Sequence, residues 1–193
     1  MKISKRDIKR RKTLLWVILV SFWTFFLAII FTWVTRSLIQ NVQSVIISFI
    51  LLIIIIFIGI FFDMIGTAVL AADEKPFHAK AAKKIYGAKK GIFLVRHAEQ
   101  VANFCNDVIG DISGVVSGVV AAVIIINLVA GVPELSEIWL SILLAGIVSA
   151  LTVGGKAVGK YFAINNPTNI VFLSARFLAA IDRLIFWRKK QKR

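Results

Sequence analysis

Two stretches without a single charge set the terms for this chain. Residues 13–35 carry no Asp, Glu, Lys or Arg, and neither does Val45–Phe62, VIISFILLIIIIFIGIFF. A helix rises about 1.5 Å per residue, so each stretch is long enough to cross a hydrocarbon core of about 30 Å. The β-branched run in the second would favour a strand in water. In lipid, a helix satisfies every backbone group within itself. Both stretches are therefore expected to be membrane spans.

Composition removes the soluble classes. The chain is 59% hydrophobic with a mean hydropathy of +0.84, more than a soluble core can bury. Its formal charge of +14 would suit a nucleic-acid binder. The lysines and arginines, however, lie in blocks beside apolar runs, as the residues that orient membrane proteins do. No nucleic-acid partner is expected, and anionic lipid headgroups are the natural counterpart.

Residues 1–12 form a basic N-terminus and 13–35 a first transmembrane helix, with Trp16 and Trp33 near its ends, where indoles favour the interface. A cleaved signal peptide would have an apolar core of about 7–15 residues and a small-residue cleavage site. This run is longer and leads into Arg36, so an uncleaved span is expected. A short polar turn, Arg36–Gln43, precedes the second span, which continues as far as Leu70 and carries Asp63 near its inner end.

Residues 73–100 change character. Lys75, Lys80, Lys83, Lys84, Lys89, Lys90 and Arg96 alternate with Ala, Gly and Ile. This reads as a cytoplasmic helical hairpin, broken near Gly87 or Gly91 and lying along the membrane surface. A third span occupies Ala98–Gly131. Within it Gly110, Gly114 and Gly118 recur every four residues, a spacing that lets another helix backbone approach. That face serves either packing within one subunit or a homodimer. Asp107 and Asp111 are also four apart. After a tight loop, Val132–Glu137, comes a fourth span, Ile138–Val153, then Lys156 and Lys160, and finally a basic amphipathic tail at 179–193.

The expected architecture is all-α: an integral membrane protein with four transmembrane helices, a basic hairpin and a C-terminal juxtamembrane helix. Of the 24 basic residues, only Arg36 lies in a loop that this arrangement places outside. Both termini are therefore expected in the cytoplasm, with the chain in the plasma membrane. Cys105 stands alone, which excludes an internal disulfide framework. His78 and His97 have no companions at zinc-ligand spacing. A Ser-His-Asp set and a phosphate-binding loop are both missing, so no enzyme is expected.

Gly155-Lys156-Ala157-Val158-Gly159-Lys160-Tyr161-Phe162-Ala163-Ile164-Asn165-Asn166-Pro167 resembles, without gaps, a motif of the transmembrane domain of the CorB/CorC and cyclin M family of magnesium and cobalt transport proteins. That motif runs roughly Gly-Glu-Ile-Leu-Pro-Lys-Thr-Leu-Ala-x-x-Asn-Pro. Phe61-Phe62-Asp63-Met64-Ile65-Gly66 is similar to the family's Phe-Phe-Ser-x-Ser-Glu. Ile109-Gly110-Asp111 sits where the family has Gly-Asn at the start of its next helix. The resemblance covers residues 44–178 and leaves out the first span and the family's cytoplasmic nucleotide-binding domains.

What the resemblance implies is a divalent-cation transporter or cation-binding membrane protein, with Mg2+ held on the cytoplasmic side. The family's ligands fall on Asp63 and Ile65, on Asp111, and on Lys156, where the family has glutamate. A magnesium ion wants oxygen donors, and an ammonium group repels it. Antiparallel third and fourth spans should place Asp111 level with Lys156, and Asp107 level with Lys160. Three readings stay open. Asp63, Asp111 and Asp107 could hold a metal. Lys156 could replace the metal and neutralise Asp63 and Asp111, leaving a structural or regulatory protein. Or all of these groups could snorkel to water with no joint role.

Overall fold

The computed structural model describes residues 5–40, 45–131 and 136–190, and every regular element among them is helical. In chain order these are α1 (Lys5–Gln40), α2 (Val45–Ala71), α3 (Lys75–Ala82), α4 (Ala88–Arg96), α5 (Ala98–Asn103), a π-helical segment (Phe104–Gly110), α6 (Asp111–Gly131), α7 (Glu137–Asn165) and α8 (Pro167–Lys190). Four helical stretches among the described residues are long and apolar enough to cross a membrane: Ile18–Ser37 within α1, all of α2, Ala98–Gly131, and α7.

The core forms around α2. Its buried positions Ser48, Leu52, Ile56, Gly59, Asp63 and Gly66 recur every three or four residues, so they share one helical face. That face meets the π-helical segment, α6 and α7. Leu52 and Ile56 join Val108, Ile112, Val116, Val120 and Ile124, and α7 adds Leu144 and Val148. The outward faces carry Phe57, Val115, Leu143 and many other exposed apolar side chains, which suits a hydrocarbon solvent. α1 packs on α6, bringing Val20, Leu27 and Ala28 against the same core.

A second cluster sits where α2 ends. Ala68 and Val69 of α2 meet Phe77 of α3, Leu94 of α4, Ala163 of α7, and Val171 and Ala175 of α8. α3 and α4 are clasped at their open ends. Glu74 Oε1 accepts a hydrogen bond from Arg96 Nε at 2.6 Å and lies 2.7 Å from His78 Nε2. These hydrogen bonds, from His78 first and then Arg96, hold the Glu74 carboxyl below its ordinary range. The break between α3 and α4 includes Gly87, in the left-handed conformation at φ 87°. Gly91 is no break: it lies inside α4, where a methyl group would collide with the Phe77 ring.

Two expected boundaries move. α1 continues through Arg36 to Gln40, so the polar turn begins later than the charge of Arg36 suggested. α7 does not stop at Val153 but runs to Asn165, which puts Lys156 and Lys160 on a helix. It ends there because proline keeps the residue before it out of the helical region: Asn166 has φ −132° and ψ 47°, and Pro167 opens α8. The C-terminal juxtamembrane helix is α8, continuous from Pro167 to Lys190. Its apolar residues point two ways, with Val171 fully buried and Phe177 and Leu184 exposed. The loop residues Pro133 and Glu134 and the side chains of Trp16, Ile185, Trp187 and the final basic residues lie outside what is described.

Candidate charged site

Asp63 lies about 27 Å along α2 from its first residue, near the far edge of a hydrocarbon core of about 30 Å. It is 4% exposed. Glycines make its surroundings. At Gly59, one turn before it, a Cβ would stand 2.9 Å from Ser113 Cβ, and at Gly66 a Cβ would overlap the Asn106 amide. Missing side chains on α2 thus let the π-helical segment and the start of α6 come close on both sides of Asp63.

α7 approaches by the same device, with the glycines on its own surface. Gly155 sits against Ile60, and Gly159 against Ile60 and Met64. Each of these glycines is followed by a lysine. Lys160 Nζ reaches 3.7 Å from Asp63 Oδ2. Lys156 Nζ lies 3.8 Å from Asp111 Oδ1 and 3.5 Å from the Gly110 carbonyl oxygen. At Gly110 the absent Cβ leaves a space with Lys156 Nζ at 3.5 Å and Asp63 Oδ1 at 4.0 Å. Two aspartates and two lysines gather around this one glycine, and their formal charges cancel.

The level of Lys156 with Asp111 matches the antiparallel register read from the sequence. The partner of Lys160 does not, for Asp63 takes the place expected of Asp107. The reason is the π-helical segment, Phe104–Gly110. Its hydrogen bonds close five residues on rather than four, which changes the rotation from residue 107 to residue 111. Asp107 is exposed, and among the described residues it makes no hydrogen bond or ion pair.

Sequence reasoning missed Asn106. Its Oδ1 and Asp63 Oδ2 are buried without a hydrogen-bond partner among the described residues. Only the wider π turn brings Asn106 against Gly66, and no spacing rule announces such a turn. The glycine repeat is also corrected in part. Gly110 is buried, but a Cβ at Gly114 or Gly118 would meet nothing within 4 Å. These two glycines do not seat a neighbouring helix of this chain. They line a groove of about 500 Å³ between α6 and α7.

Among the described residues, no three His, Cys, Asp or Glu side chains stand close enough to hold a metal, so Asp63, Asp107 and Asp111 do not form one shell. Ile65 packs with the second apolar cluster. Lys156 holds its ammonium group beside the Gly110 carbonyl.

No family model matches the chain, and no characterised protein or solved structure matches it.

Proposed function

We propose that this chain is a multi-pass membrane protein whose central charge site is closed by its own lysines. It would serve as a structural or regulatory membrane component rather than as a carrier of ions. One observation carries the reading: Lys156 and Lys160 lie within ion-pair distance of Asp111 and Asp63. An ionised side chain is costly where water is excluded. Asp63, buried near the far edge of its span, needs opposite charge, and Lys160 of α7 supplies it, while Lys156 pairs with the exposed Asp111. The resemblance to the CorB/CorC transmembrane domain supports the same reading, since the lysine stands where that family has a glutamate. The charge blocks support cytoplasmic termini in a plasma membrane.

The test is flux. Reconstituted into liposomes loaded with a magnesium-sensitive dye, the protein should give no magnesium signal above that of empty liposomes. Saturable flux that Asp63→Asn abolishes would overturn the proposal.

A second reading has an observation of its own. Asp63 Oδ2 and Asn106 Oδ1 are buried and accept no hydrogen bond among the described residues, and hard cations seek such oxygens. On that reading the lysines swing aside and magnesium or cobalt is bound or carried. The same flux experiment separates the two.

A further inference from the structure

We propose that the turn between α3 and α4 is an anchor that inserts into an anionic membrane surface. The turn runs Lys83-Lys84-Ile85-Tyr86-Gly87. Its backbone is fixed before any ligand arrives. Lys84 N–H donates to Ala81 O at 2.9 Å, Ile85 N–H to Lys80 O at 3.0 Å, and Ala88 N–H to Ile85 O at 3.1 Å. Lys84 holds a positive φ of 54°, unusual for a residue with a side chain. Gly87 is seated on α8, where a Cβ would press on Arg176 at 2.8–3.1 Å.

This rigid turn presents an unusual mixture. Ile85 is 42% and Tyr86 47% exposed, at the tip of a hairpin and not along a span. Lys83, Lys84 and Lys89 surround them and are exposed. Neighbouring cations are already engaged: Lys90 pairs with Asp182, and Lys80 lies 4.1 Å from the centre of the Phe172 ring. Among the described residues, Lys83, Lys84 and Lys89 have no acidic partner. Apolar side chains ringed by unpaired cations match the boundary between acyl chains and anionic headgroups. Only residues 72–74 separate α3 from α2, a helix long and apolar enough to cross a membrane, so the hairpin is within reach of that boundary.

Each lysine held at an anionic surface strengthens attachment about fivefold, so three give roughly a hundredfold preference over a neutral surface. The occupant is thus a bilayer rich in anionic lipid. This goes beyond the closed-site reading and does not depend on it.

The experiment uses the full chain in nanodiscs, with an environment-sensitive dye at Ile85→Cys in a Cys105→Ala background. Discs are made of phosphatidylcholine alone or of equimolar phosphatidylcholine and phosphatidylglycerol, and brominated acyl chains serve as quenchers. Strong quenching is expected in anionic discs, several-fold weaker quenching in neutral discs, and loss of that difference in Lys83→Gln/Lys84→Gln/Lys89→Gln. Added inorganic phosphate should leave the quenching in place, because a lipid and not a free anion is recognised. A dye that stays in water in both discs overturns the proposal and leaves the turn to a soluble acidic partner. Equal quenching in both discs overturns the electrostatic part. Displacement by inorganic phosphate also contradicts it. Retained α-helical circular dichroism in the triple variant excludes misfolding as the cause.

Discussion

Lys160 Nζ stands 3.7 Å from Asp63 Oδ2, with the lysine side chain 50% exposed and the aspartate 5%. The pair is lopsided. Asp63 is fixed in the middle of a packed helix face, while Lys160 reaches it from the water side along its own alkyl stem.

This lopsidedness predicts the outcome of cutting the pair. Breaking a wholly buried pair costs about 3–5 kcal/mol. With Lys160 half in solvent, Lys160→Ala should lower stability by about 1–3 kcal/mol. Adding Asp63→Asn should restore most of the loss, because no uncompensated charge is left. Unfolding in mixed micelles of all three variants measures the coupling. Additive losses would mean that the two groups act separately.

Glycine substitutions should sort by contact. Gly59→Ala places a methyl 2.9 Å from Ser113 Cβ, and Gly66→Ala drives one into the Asn106 amide. Overpacking of this kind costs about 1–3 kcal/mol. Gly114→Ala and Gly118→Ala meet nothing and should gain about 0.5–1 kcal/mol from helix propensity. Thermal midpoints of the four variants in one detergent test this. A Gly114→Ala loss as large as that of Gly66→Ala would contradict the packing described.

The α3–α4 clasp has a signed pH dependence. The Glu74 carboxyl is held below its ordinary range by His78 and Arg96. A lowered folded-state pKa means that its contribution is complete above the ordinary glutamate value and is lost as pH falls through the lowered one. Amide protection in α3 and α4, taken relative to the intrinsic exchange rate at each pH, should therefore fall between about pH 5 and pH 3. In Glu74→Gln the clasp should be loose at every pH, and that fall in protection should be gone.

Asn106 offers a test of an unpartnered group. Its buried Oδ1 accepts no hydrogen bond from the described residues, and a buried unmet acceptor costs about 1–3 kcal/mol. Asn106→Leu, of similar volume, should hold or raise the unfolding midpoint. A large loss would mean that a water or an ion holds the amide in place.

The four spans were legible because lipid imposes a rule that composition obeys: long runs without charge. The level of Asp111 with Lys156 was legible because antiparallel α-helices convert sequence distance into depth. Asp107 failed that arithmetic, since the π-helical segment changes the rotation between residues 107 and 111. The glycine repeat at 110, 114 and 118 was visible, but its contacts were not. Which side of a helix touches a neighbour depends on rotation about its axis, and the seats are instead at Gly59, Gly66, Gly155 and Gly159. Gly155 and Gly159 directly precede Lys156 and Lys160 in the sequence, but nothing in that order says which helix they face.

The central claim is that α7 supplies the positive charge that the aspartates need. Calorimetric titration of the purified protein with magnesium tests it most directly, with the wild type set against Lys156→Glu. The account predicts no binding heat for the wild type and a saturable heat for Lys156→Glu, in which an added carboxylate replaces the ammonium group beside Gly110 and Asp111. Saturable binding to the wild type, removed by Asp63→Asn, would contradict it and make the centre a working cation site.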